Sequence, residues 1–430
     1  MIERLREVLG EDVVSEADFS PFRVHGRTPP AIVSPWNTDQ AAAALRLCTE
    51  NGWPVEPAGA GSWLDWGRPP DRAGIVLSTE RMAGVTEFEP ADLTISVAAG
   101  TPLAEVEETV AVDRQTLGLD PPARPGATIG ATIALAAAGP LRLSLGTPRD
   151  TVLGLELITG DGRIVRIGGR VVKNVAGYDL VRLIVGSRGT LGLITLAHVK
   201  LRPAPDTDLT AVFAADSPEW LMDRVYGAAA KVWPAAVELL APATAAAIGR
   251  PSRWCLFVRC RGNSPFVAEA RRRLAAIAGN PDFLSESDAA HLWENFANLE
   301  AQARVAVRFA TLPTRLGDSL GMARAAAEGP DGQSADDWFI AAHAGSGIVR
   351  LWRNETIDRD AGRTAILVRS IAEARRLFGH DGGTVTAPLF PQGPDGFDPF
   401  GQPPALHELM SGIRRVFDPA GILTPGRFVV

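Results

Sequence analysis

Cysteine is nearly absent: Cys48, Cys255 and Cys260 are the only thiols in 430 residues. Three thiols can neither build a disulfide framework nor supply the four thiolates of an iron–sulfur cluster, so the sequence reads as a protein of a reducing setting. Cys255 and Cys260 lie five apart on an apolar run, which predicts packing residues on opposite faces of a sheet. Lysine is equally scarce, at Lys173, Lys200 and Lys231. None of them follows a glycine, which removes the Gly-Lys-Ser/Thr nucleotide loop. Long hydrophobic runs are missing too. The longest, 127–139, falls short of the roughly 18 to 20 apolar residues of a membrane helix and carries two threonines and Gly130. The opening MIERLREVLGED alternates charge with apolar residues and lacks a signal-peptide core. The expectation is a cytoplasmic protein with no membrane span, meeting the inner membrane only through partners.

What is present is ordinary globular material. Hydrophobic residues make up 46% and charged ones 22%, which excludes wholesale disorder. The net charge of -7 and the scattered arginine pairs argue against nucleic acid as a partner. At roughly 150 residues per domain the length predicts two or three domains.

The first half mixes α and β. Thr38 is read as the cap of an Ala-rich helix that Gly52 ends. Hairpins are expected over 85–98 and over 152–167, the second turning at Asp161-Gly162. Pro203 and Pro205 mark a boundary, giving a first domain of 1–205. Over 206–400 strand candidates at 209–213, 236–240, 254–259, 303–309, 338–342 and 348–352 alternate with helix candidates at 217–231, 264–278, 313–327 and 358–378. This predicts an α+β domain with helices on one face of an antiparallel sheet.

Glycine-rich loops carry the chemical signal. Pro57-Ala58-Gly59-Ala60-Gly61-Ser62 follows a strand, and its small residues let backbone N–H groups converge on an anion, with Ser62 adding a hydroxyl donor. The Rossmann fingerprint fails, because its third glycine position is Leu64. A second cluster runs through Pro125, Gly126, Ala127, Thr128, Gly130 and Thr132. A third is Gly146-Thr147-Pro148-Arg149-Asp150, and a fourth is 186–192. Four such loops in one domain favour a long cofactor bearing phosphates.

Together these segments resemble the FAD-binding domain of the vanillyl-alcohol oxidase and p-cresol methylhydroxylase flavoprotein superfamily. The matching pieces are PAGAGSWLDWG (57–67), RPGATIGATIA (124–134), SLGTPRDTVLGLELITGDGRIV (144–165), KNVAGYDLVRLIVGSRGTLGLIT (173–195) and FDPAGILTPGRF (417–428). Within it, GSWLDWG and KNVAGYDL are most similar to the FAD-binding subunits of bacterial glycolate oxidases, the smaller of their two flavin-type subunits. The resemblance implies a two-subdomain FAD-binding domain, an antiparallel, ferredoxin-like cap domain and a tail, 401–430, that returns to the FAD domain. It implies that Pro57 and Gly59 to Ser62, with 125–132, hold the pyrophosphate. Thr147, Arg149 and Asp150 would then lie near the ribityl and ring portion, and Gly189, Thr190, Gly192 and Ile194 would close over the flavin. It also implies a small 2-hydroxy acid substrate, glycolate going to glyoxylate, and two partners, a larger FAD subunit and an iron–sulfur subunit.

Departures from the family pattern also carry information. Many members tether FAD to a histidine in the first loop, where this chain has Ser62, so FAD is expected to be non-covalent. Larger hydroxyacid-oxidising relatives carry a metal-binding His-x-Gly-Asp-Gly-Asn-x-His strand. Here 343–350 reads HAGSGIVR, and one imidazole is insufficient for a metal. Oxidising a hydroxy acid needs a base and a carboxylate clamp. His343 with Arg350 or Arg353 is the constellation offered, with His343 and Arg353 expected to face one cavity across a hairpin. Trp63 and Trp66 either shield a flavin edge or anchor their loop. Tyr178 either bonds the cofactor or caps the following helix. A stand-alone FAD oxidase of another small alcohol and a non-catalytic structural subunit are the alternative readings.

Overall fold

The computed structural model describes residues 1–16, 20–169, 178–277, 280–328, 337–356, 361–390, 397–401 and 404–428. The stretch 173–177 of the KNVAGYDL run lies outside them. The chain divides into one unit of 1–138, 146–204 and 402–430, and another of 139–145 and 205–401.

The first unit holds two sheets. One has four strands in the order Val14–Ser15, Ile32–Val33, Ile75–Ser78, Val55–Ala58, and its last three run parallel. The other is an antiparallel sheet of five in the order Val85–Glu89, Thr94–Ala98, Leu193–Lys200, Val152–Ile158, Ile164–Gly168. Both expected hairpins are there, and Gly162 takes the positive φ of 79° at the second turn. The helix Thr38–Asn51 buries Ala41, Ala44, Leu45 and Cys48 against Ile75 and Leu77 of one sheet and Ile158 and Leu193 of the other. Its cap is Asn37, whose side chain accepts from Gln40 N at 2.9 Å. Thr38 is already inside the first turn, with its hydroxyl on Glu156 at 3.0 Å.

The tail returns to this unit. Val55 N donates to Ile422 O at 2.8 Å and Thr424 N donates to Val55 O at 2.9 Å, so residues 422–424 extend the parallel sheet past Val55–Ala58. Asp418 shapes that turn by accepting from the amides of Ile422 and Leu423.

The second unit is one antiparallel sheet of eight strands, in the order Asp282–Phe283, Thr207–Ala215, Trp254–Gly262, Ala236–Leu240, Phe339–His343, Ile348–Arg353, Val305–Ala310, Thr384–Leu389. The register puts Cys260 opposite Leu209 and Cys255 opposite Leu240, on opposite faces as expected. Helices Ser264–Ala275, Leu316–Glu328 and Ala361–Gly379 cover one face. In the last, Leu367, Ile371, Ala374 and Phe378 form a stripe at helical spacing, and each large side chain contributes roughly 1.5–3 kcal/mol by burial. The other face is not bare, contrary to expectation. Helix Glu286–Ala301 packs there, with Trp293 Nε1 donating to Thr210 Oγ1 at 3.0 Å and its ring 6.0 Å from Phe257.

Candidate functional site

The strand Val55–Ala58 runs into the first glycine loop because its neighbours hold the exit. Ser78 Oγ donates to Gly59 O at 2.8 Å, and Thr79 N donates to Ala58 O at 2.9 Å. A Cβ on Gly59 would stand 2.1 Å from Thr128 Oγ1; Gly61, at φ +84°, would place one 2.0 Å from Pro21 O. Only glycine fits either place. Ser62 Oγ donates to Pro125 O at 2.8 Å and Arg124 donates back to Ser62 O at 3.0 Å, so two glycine loops are stapled together. The Ser62 hydroxyl, expected as an anion donor, is spent on this staple. Among the described residues no acceptor takes the amides of Gly59, Ala60, Gly61 or Ser62.

The second cluster behaves otherwise. The amides of Ala127, Ile129, Gly130, Ala131 and Thr132 go to Arg124 O, Thr101 O, Ala99 O, Thr128 Oγ1 and Thr128 O. These five amides are taken, and the segment acts as a wall: Gly130 sits where a Cβ would be 2.7 Å from that of Ala99, and Thr128 caps helix Ile129–Leu135.

A cleft of about 780 Å³, counting its open mouth, lies over the first loop. Its floor and sides are Pro57, Gly59, Gly61, Ser62, Gly130, Gly189, Gly192 and Ile194 among the expected residues, joined by Trp63, Trp66, Arg188, Thr424, Arg427 and Phe428. Ala60, Pro125, Gly126, Ala127, Thr128, Thr132 and Thr190 are not part of the lining. Nor are Thr147, Arg149 and Asp150: the Asp150 carboxylate accepts from Thr147 N and Oγ1 as a capping box, and Arg149 reaches Val185 O. Trp63 and Trp66 pack edge to face at 5.1 Å with the Arg124 guanidinium 4.7 Å over Trp63, so they anchor the loop and also line the cleft. Tyr178 is 96% exposed, and Asp179 is the residue that caps the next helix.

The cleft is cationic. Arg427 donates to Leu64 O and Trp66 O at 2.5 Å and to the buried Glu56 at 2.9 Å, locking the tail onto the tryptophan loop. Burial, then the charge of Arg427, pushes Arg188 down to about 10. Burial, followed by the same charge, lowers His25 to about 4.

These residues suit FAD. The indole N–H groups of Trp63 and Trp66 and the Thr424 hydroxyl are buried without a hydrogen-bond partner among the described residues. A chain of free amides and two arginines beside them matches a diphosphate with polar rings at its ends.

In the second unit His343 ends the strand Phe339–His343, directly opposite Glu238 in the register. Its Nδ1 bonds Glu238 Oε1, and Arg350 joins Glu238 Oε2 at 2.7 Å and Glu300 with its other nitrogen. His343 pairs with Ile348, so it shares a face with Arg350, two residues on. Arg353 therefore projects from the opposite face, where it meets Glu355 and Asp337. The expected grouping of His343 with Arg353 is thus corrected by register parity. Both arginines expected to clamp a substrate carboxylate are engaged by carboxylates of the chain itself. Burial, then the charge of Arg350, holds His343 well below its ordinary value, while burial pushes Glu238 up to about 7 against Arg350.

Sequence reasoning missed Glu238, Glu300, Arg188 and Arg427. A lone acid in the apolar strand AVELL was the signal for Glu238, since fully buried acids are rare unless paired. The two cleft arginines sat inside matched segments, but arginines are usually surface residues and nothing local set them apart.

A family model described as "FAD binding domain" matches residues 29–168. "Glycolate oxidase subunit GlcD" of Bacillus subtilis (strain 168) is 31% identical over 422 residues, covering 93% of this chain and 88% of the relative. The likeness thus extends through both units. A "D-lactate dehydrogenase" of Archaeoglobus fulgidus is 38% identical over 212 residues, 49% of this chain and 47% of the relative. "Glycolate oxidase subunit GlcE" of Escherichia coli (strain K12) is 40% identical over 158 residues, 36% of this chain and 45% of the relative. Among solved structures, p-cresol methylhydroxylase with substrate bound superposes with a TM-score of 0.75 at 14% identity, over 99% of this chain and 95% of that one. An alkyldihydroxyacetonephosphate synthase gives 0.71, also at 14%, over 99% and 84%. At that identity the superpositions speak for the fold.

Proposed function

The chain belongs to the p-cresol methylhydroxylase-type FAD-binding superfamily and is related to GlcD-type glycolate oxidase subunits, and from this premise we propose that it oxidises a small 2-hydroxy acid, glycolate first among candidates. The observation that carries the reading is the run of unclaimed amides at Gly59–Ser62 opening on a cationic cleft, which is what a diphosphate-bearing cofactor needs. When bound, FAD supplies the two-electron acceptor. Gly59, Gly61 and Ser62, which line the cleft, would hold its phosphates through the main chain. Trp63 and Trp66 exclude water, and Arg427 keeps their loop in place. With Ser62 where tethered members carry histidine, attachment is non-covalent. In the second unit His343, neutral through burial, takes the hydroxyl proton.

The names of the relatives supply the substrate class: glycolate for two and D-lactate for others. Two of those names contain the word subunit, which supports placing this chain in a larger assembly, and the larger FAD subunit and the iron–sulfur subunit that the resemblance implies are the partners proposed. Any iron–sulfur relay belongs to a partner, because the three cysteines here cannot supply the four thiolates of a cluster. A version of this reading in which turnover requires the assembly has specific support, since Arg350 and Arg353 are spent on Glu238, Glu300, Asp337 and Glu355.

The test is the visible spectrum of the purified chain, followed by anaerobic mixing with glycolate and D-lactate. We expect a flavin band whose chromophore is released by acid and which bleaches with one of the two acids. Bleaching only after partner subunits are added selects the assembly-dependent version. A colourless protein that takes up no added FAD overturns the reading.

A further inference from the structure

The strand Ala236–Leu240 contains one charged residue, Glu238, and it is completely buried. A buried carboxylate is stable only where its oxygens are satisfied, and here each has a different partner. One oxygen meets His343 Nδ1, and the other accepts from Arg350 at 2.7 Å. Arg350 is itself held from behind by Glu300, and its guanidinium lies 5.2 Å from the ring centre of Phe296. Arginine has no acceptor, so Arg350 demands an acceptor on its side of Glu238 and fixes how the carboxylate faces. His343 Nε2, by contrast, makes no hydrogen bond among the described residues, and it is not among the fully enclosed unpartnered atoms.

We propose that Glu238 is a positioning residue: anchored by Arg350, it pins His343 as the Nδ1–H tautomer and turns the Nε2 lone pair outward as the proton acceptor. The inference rests on the reading of His343 as the base. The other charged groups acting on this pair are Arg142, from the helix Arg142–Leu145, Glu300, from the helix Glu286–Ala301, and Arg308, which stands opposite Arg350 in the register. Arg142 and Arg308 favour the neutral imidazole, as Arg350 does, and Glu300 opposes them. Burial disfavours the charged form of both groups, lowering His343 and raising Glu238, so the imidazole is held neutral and able to accept a proton.

The substitution Glu238→Gln tests this with little change of shape. Arg350 must keep an acceptor, so the amide oxygen turns to it and the amide NH2 faces His343 Nδ1. That forces the ring proton to Nε2 and removes the acceptor. The measurement is nitrogen NMR of full-length protein labelled at the histidine rings, with His343 assigned by its loss in His343→Gln. We expect a protonated Nδ1 and a bare Nε2 in the parent protein, and the reverse in Glu238→Gln. In turnover of a 2-hydroxy acid, with partner subunits present if needed, Glu238→Gln should lose about 10²- to 10⁴-fold in kcat with KM little changed. Glu238→Asp should recover part of the rate. A parent His343 carrying its proton on Nε2 overturns the proposal even if Glu238→Gln fails to fold. A folded Glu238→Gln protein with unchanged kcat also overturns it. The expected tautomers in a protein that oxidises no 2-hydroxy acid support the positioning and overturn the function proposed above, so the two failures are distinguishable.

Discussion

Gly59 shows how much a single hydrogen atom can carry. Its Cα faces Thr128 so closely that a methyl group would meet Oγ1 at 2.1 Å, and the loop must lift to make room. Gly59→Ala should therefore lose about tenfold or more in FAD affinity, roughly 1.4 kcal/mol, measured by titrating the apoprotein with FAD. Adding Thr128→Ala should recover part of that loss. The recovery is partial because Thr128 also caps helix Ile129–Leu135, and losing a cap costs about 1 kcal/mol. His25 gives the pH prediction. Its folded value of about 4 lies below the ordinary 6.5, so the native state binds fewer protons than the unfolded chain in that window. Stability should be full above pH 6.5 and fall as pH drops from 6.5 to 4, and His25→Asn should flatten that slope in urea midpoints taken at pH 7 and pH 5. Residues of this kind were unevenly legible. Glycines announce themselves because nothing else fits, whereas the low value of His25 comes first from burial and then from Arg427, which lies far away along the chain.

Elements were legible where a local pattern is unambiguous. The strand Ala236–Leu240 was read to the residue, and the Val152–Gly168 hairpin was found from its apolar strands and Asp-Gly turn. The helix Glu286–Ala301 was overlooked, although Ser285 stands three residues before Asp288 as its cap and Ala289, Leu292, Trp293 and Phe296 keep helical spacing. Its stripe is four residues wide in a largely polar segment, which reads as a loop until the sheet face beneath it is known. The strand Thr384–Leu389 escaped too: it contains Pro388, which argues against a strand and is tolerated here at the edge of the sheet. The overlooked helix matters to the site, for it carries Glu300 and Phe296. Phe296 is 1% exposed, and Phe296→Ala should cost about 3–5 kcal/mol by chemical denaturation, as expected for a large ring deleted from a packed interior. Phe296→Leu should cost less than half of that.

At the scale of the whole molecule, contiguity in sequence and membership in a unit part company. Pro203 and Pro205 and the change of strand and helix pattern after them led to the expectation of two main parts, and the resemblance to that of a returning tail. Residues 139–145, however, pack with the second unit although they sit in the middle of the first half of the chain. No local signal marks this, because a short Gly-Pro-initiated turn has the same sequence wherever it docks. A fragment of 1–204 should therefore be poorly folded, lacking the strand that Val55 pairs with and the arginine that neutralises Glu56. Joining 402–430 to it by a flexible linker should restore a cooperative thermal transition. FAD at one hundred times its Kd should then stabilise that fragment by about 2.7 kcal/mol.

The pairing of Glu56 with Arg427 spans 371 positions. A ribosome that has placed Glu56 must add 371 further residues before the clasp arrives. Cofactor loading is thus expected late in biogenesis, and a nascent chain stalled before position 427 would be expected to emerge colourless.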